Sequence, residues 1–111
     1  MSPEFKAKWI ADLRKYPKTT SYLKNSKGYC CLGVACLTLG AKFEVRSFLE
    51  TGGLAEDRPI LNGRNLANGE GLDHSTLDLI GLTDNQQNKL IALNDCSTTF
   101  EPVIAWIEKN L

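Results

Sequence analysis

The stretch Cys30-Cys31-Leu32-Gly33-Val34-Ala35-Cys36-Leu37-Thr38-Leu39 decides the fold. It is almost wholly apolar, and periodicity alone fits a buried strand and a buried helix equally. Ten residues is long for a strand, so the expectation is a central buried helix. Gly40 supplies its stop, because glycine tolerates a left-handed helix end. Gly33 costs helix propensity and calls for a reason, such as the close approach of another element or a ligand. Three of the four cysteines lie in this run and the fourth is Cys96. A secreted mini-protein spreads its cysteines through loops. Here free thiols are expected, with Cys30, Cys31 and Cys36 buried as small hydrophobes.

Before the run, Ser2-Pro3 reads as a helix start. Phe5, Trp9 and Leu13, with Ile10 beside them, form the apolar stripe of a helix over 4–15, which Pro17 stops. Segment 18–29 is polar, with Tyr22 and Leu23 as anchors and Gly28 as a turn. After the run, Phe43 and Val45 alternate and Phe48 and Leu49 shift toward helical spacing, so 42–49 stays ambiguous. Residues 51–74 form a glycine- and asparagine-rich lobe. Asn62-Gly63 fits a hairpin turn between Pro59-Ile60-Leu61 and Asn65-Leu66. Asp73 is placed to cap a short helix over 74–80 that ends at Gly81.

The last third is the clearest. Thr83 followed by Gln86 is a capping box for a helix over 84–94, which ends at Asn94-Asp95. Thr98 with Glu101, or Thr99, is expected to cap a helix over 99–110, with Pro102 tolerated in its first turn. The fold expected is therefore mainly α, in one small domain over 1–111. A central buried helix packs against the N-terminal helix and a C-terminal helical hairpin. The lobe is irregular, with room for a short β-hairpin.

Composition agrees. Of 111 residues, 42% are hydrophobic and 23% charged, enough for one core and too apolar for a disordered chain. No apolar run is long enough to span a membrane. The opening Met-Ser-Pro-Glu-Phe-Lys lacks the apolar stretch of a signal peptide, so the cytoplasm is the expected compartment. Net charge is zero but uneven. Residues 1–27 carry seven basic and two acidic side chains, and residues 28–111 carry six and eleven. The basic end suits a solvated helix face or an anion-binding one. No aromatic-basic interleave and no nucleic-acid motif sharpens that choice.

An opening helix with Trp9, then Tyr29-Cys30-Cys31-Leu32-Gly33-Val34-Ala35-Cys36, then Gly81-Leu82-Thr83 through Leu93-Asn94-Asp95, and Phe100 to Ile107 with Trp106 together resemble a group of small bacteriophage and prophage proteins. Those proteins often carry Cys-Cys-Leu-Gly-Val-Leu-Cys, and this chain departs at Ala35. The resemblance covers about half the chain and brings no activity with it. It implies a phage-encoded accessory protein in the host cytoplasm, with counter-defence among its roles. Its partner would be a host protein, a nucleic acid, a nucleotide or another anion. A homodimer is also compatible.

Two chemistries compete at the level of residues. In the first, the protein binds and does not catalyse. Arg58 and Arg64 in the lobe, where Gly52-Gly53, Gly63, Gly69 and Gly71 could present N–H groups, would meet an anion, and Asn94 and Asp95 join the candidate ligand-binding set. In the second, Cys30 or Cys31 at the start of the buried helix is a nucleophile of a hydrolase or transferase. His74, the only histidine, would be its base, and Asn94 or Asp95 would orient that base. A zinc site from Cys30, Cys31, Cys36, Cys96 and His74 lacks the usual paired spacing, so no metal and no cofactor is expected.

Overall fold

The apolar run folds into a helix because every residue it offers can be buried. In a computed structural model, which describes residues 1–20, 22–25, 27–45, 57–68 and 71–111, it forms α2, Cys31–Leu39. Seven of its nine residues are buried, as befits a helix that is apolar on every side. Gly40 ends it in the left-handed region at φ 100°. Helix α1, Pro3–Leu13, starts from Ser2, whose hydroxyl accepts from the Phe5 N–H at 3.1 Å. It buries Trp9 and Leu13 against α2 and ends before Lys15. Each fully buried side chain of this kind contributes about 1.5–3 kcal/mol.

Between α1 and α2, strands β1 (Lys24–Asn25) and β2 (Gly28–Tyr29) pair as a small antiparallel hairpin. Leu23 is buried there, but Tyr22 is 57% exposed and anchors nothing. Strands β3 (Lys42–Val45), β4 (Asp57–Leu61) and β5 (Arg64–Asn65) form an antiparallel sheet in that order. Asn62 at φ 53° and Gly63 at φ 80° make the turn between β4 and β5, the left-handed pair that matches strand twist. The ambiguous start of 42–49 is thus a strand. Phe48, Leu49, Gly52, Gly53 and Gly69 lie outside the described residues. Strands β6 (Ala67–Asn68) and β7 (Gly71–Leu72) pair next, so the described part of the lobe is mostly short hairpins.

Helix α3, His74–Ile80, is capped by Asp73 and stopped by Gly81. Helix α4, Asp84–Asp95, opens with the full capping box of Thr83 and Gln86. Helix α5 runs Glu101–Asn110, two residues shorter at its start than expected. Phe100 occupies the cap position and no side chain caps it, while the Thr99 hydroxyl accepts only a long 3.4 Å bond from Glu101. The cause is burial. Phe100 is drawn into the core, which sets the chain's direction, and Pro102 needs no N–H partner. Helices α1 and α4 pack on α2, and α5 packs on α1 and α4, in one mainly helical domain. The two charge halves meet where Arg14 pairs with Glu108 at 3.6 Å and Lys6 donates to the Glu108 carbonyl.

Candidate functional site

Three distant parts of the chain converge on the N-terminal end of α2, and one amide joins them. Asn94 lies in the last turn of α4 and is 1% exposed. Its Oδ1 accepts from the Cys31 N–H at 3.1 Å, and its Nδ2 donates to the Thr19 carbonyl at 3.0 Å. Only an amide side chain of this length carries both a donor and an acceptor without charge. Trp9, fully buried, donates its indole N–H to the Cys31 carbonyl at 3.0 Å. The Cys30 sulfur accepts from the Gly33 N–H at 3.4 Å, and the Cys31 thiol donates to the Leu90 carbonyl at 3.7 Å. Two of the helix's first N–H groups are therefore satisfied from within.

Burial pushes the Cys30 thiol up to about 11, outweighing the backbone hydrogen bonds that favour its thiolate. Burial also pushes Cys31 and Cys36 well above the ordinary value. All three are neutral thiols near pH 7. A raised folded-state pKa stabilises the fold fully below the unfolded value and loses that stabilisation as the pH climbs through the folded one. Stability should therefore decline from pH 9.0 toward about 11. The urea midpoint at about pH 10 is expected below that at about pH 8, and Cys30→Ala should flatten the decline. Equal slopes in the two proteins would contradict it.

Cys30, Cys31, Asn94 and Asp95 lie together at this end of α2. The other candidates lie elsewhere. His74 is exposed, with its Nδ1 3.7 Å from Asp84 Oδ1. Arg64 donates to Asp73 Oδ2 at 2.6 Å and to the Thr76 hydroxyl at 3.3 Å, which braces the cap of α3. Asp73's desolvation would raise its pKa, but the Thr76 hydrogen bonds and Arg64 more than offset it and hold the carboxyl below its ordinary value. Arg58 stands in β4 opposite Glu44 of β3. Cys96 is a free, exposed thiol. Among the described residues, no cluster of three His, Cys, Asp or Glu side chains could hold a metal ion.

Next to the Asn94 junction is an open cleft of about 630 Å³. One wall comes from the segment after α1, with Lys18, Tyr22 and Lys27; the other is the end of α4 and its exit, with Asp95, Ser97 and Thr98. The walls are fixed relative to each other because Asn94 holds Thr19. Tyr29 reinforces this by accepting from the Thr19 N–H at 2.8 Å and donating its own N–H to the Pro17 carbonyl at 2.9 Å. The sequence offers Lys18 and Lys27 as part of the basic N-terminal end and Tyr22 as an anchor, and nothing in it brings the three to one cleft.

Fold and site together define a small, mainly helical domain, built round a cysteine-bearing buried helix whose N-terminus is closed by an asparagine. The chain belongs to the family described as a domain of unknown function (DUF8296), whose model matches residues 1–111. No curated protein and no solved structure matches the chain.

Proposed function

We propose that the protein is a phage-type accessory binding protein, acting in the host cytoplasm on a host protein or an anionic ligand, with counter-defence as one such role. It works as a monomer or homodimer, without a cofactor. The motifs at Tyr29–Cys36 and Leu93–Asp95 support the phage setting. No helix among the described residues is long and apolar enough to cross a membrane.

The closed N-terminus of α2 favours binding over turnover. A cysteine nucleophile needs an accessible thiolate with a base beside it, and free N–H donors for the anion that develops on the substrate. Here the Cys31 and Gly33 N–H groups are already bonded to Asn94 and Cys30. The thiols of Cys30, Cys31 and Cys36 are buried, and His74 sits against Asp84. The open cleft beside this junction is then the surface through which a partner is held.

Thiol labelling tests the choice. With iodoacetamide at neutral pH, the folded protein should take up one label, at Cys96, and the other three only after denaturation. Fast alkylation of Cys30 or Cys31, slowed by His74→Ala, would replace binding with cysteine chemistry.

A further inference from the structure

We infer that the cleft takes a nucleotide unit, with an unpaired base stacked on Tyr22 and its phosphate between Lys18 and Lys27. This rests on the cleft being the binding surface. Five observations support it. Tyr22 is one of only two large apolar side chains left exposed among the described residues, at 57%, and it lines this cleft. An exposed aromatic flanked by cations is how proteins hold bases of single strands, since every base has a π-face. Among the described residues, neither Lys18 nor Lys27 has an ion pair, whereas Arg64, one of the two lobe arginines expected to meet an anion, is committed to Asp73.

The rest of the lining is polar. The Thr98 hydroxyl and the Asn25 Nδ2 suit a base edge or a sugar, and Ser97, whose hydroxyl donates to the Leu93 carbonyl at 2.6 Å, can still accept. A protein partner would call for several apolar anchors at the centre of the contact, and here Tyr22 stands alone. Asp95 opposes a phosphate, so the anion belongs on the lysine wall and the base edge on the Asp95 wall. The cleft is also held open in advance. The Asn94 and Tyr29 hydrogen bonds fix its walls, and the Lys27 N–H donates to Asn25 Oδ1 at 2.8 Å, which shapes the loop carrying Lys27. Its volume of about 630 Å³ falls in the range of small-molecule sites.

Fluorescence anisotropy with labelled short oligo(dT) and oligo(rA) tests this, with AMP as competitor and a duplex of mixed sequence as comparison. The single strands should bind, and the duplex should bind far more weakly. Full competition by AMP would identify the ligand as a free nucleotide, and binding by the strands alone would place the nucleotide in a chain. Tyr22→Ala should weaken binding about ten-fold or more, and Tyr22→Phe should restore it. One neutralised phosphate gives a slope of about −0.7 for log affinity against log salt, which Lys18→Ala with Lys27→Ala should abolish. Lys8→Ala, a charge on α1 outside the cleft, should leave that slope unchanged. The inference is overturned if neither strands nor AMP bind, if the duplex binds as well as the strands, or if Tyr22→Ala binds like the wild type. Thr98→Trp separates this from the wider reading, because it fills the cleft whatever the ligand. Loss of a lysate partner in that variant, with no nucleotide bound by the wild type, would remove the nucleotide and keep the cleft.

Discussion

Gly33→Ala should cost about 3 kcal/mol or more and leave little folded protein at 37 °C. A Cβ at this position would stand 2.0 Å from the Leu23 carbonyl oxygen and 2.9 Å from its carbon. These are backbone atoms, so no rotamer change relieves the clash. Nor is the carbonyl free to swing aside, since it accepts from the Cys30 N–H at 3.1 Å. Moving it breaks that bond and lifts the segment holding Leu23 and β1 off α2. Alanine's higher helix propensity returns only about 1 kcal/mol, too little to compensate. Urea unfolding followed by circular dichroism measures the loss. Wild-type stability in Gly33→Ala would mean that α2 and the Leu23 segment do not touch as described.

The second large effect is at Asn94. Asn94→Ala leaves the Cys31 N–H and the Thr19 carbonyl without their partner, in a place where water does not reach. Each orphaned group costs about 1–3 kcal/mol, so about 2–6 kcal/mol is expected in all. Asn94→Asp separates the two bonds. The carboxylate can still accept from Cys31, but it faces the Thr19 carbonyl oxygen with no proton to give. Protonation restores a donor, which raises the folded-state pKa of the new carboxyl. The variant should therefore gain stability relative to the wild type as the pH falls from about 7 to about 5. Denaturant titrations at both values check it. A variant whose deficit is the same at the two pH values would contradict the assigned bond to Thr19.

What was legible in the sequence was local chemistry. Ser2, Asp73 and Thr83 with Gln86 cap helices within four residues of themselves, and Asn62-Gly63 turns its own hairpin. Helix α2 was legible because an apolar run of that length has few alternatives. The threonine caps alone misplace the start of α5, because Phe100 enters the core and takes the cap position. Gly33 signalled that something approaches closely, but nothing in the chain said that it would be the Leu23 carbonyl. Asn94 read as a helix end, and its bonds to Cys31 and Thr19 span 63 and 75 residues. The cleft was invisible for the same reason, since its walls lie about as far apart along the chain. Gln87, a buried polar residue whose Oε1 accepts from the Leu72 N–H at 2.7 Å, likewise gave no sign of its partner.

The contrast between Cys96 and its three buried counterparts gives the chain a built-in chemical handle. A maleimide dye attached to the native sequence would settle at one position on the rim of the cleft, with no engineered cysteine and no mutation of the core. Its emission would report occupancy directly, turning an awkward screen for an unknown ligand into a single optical titration.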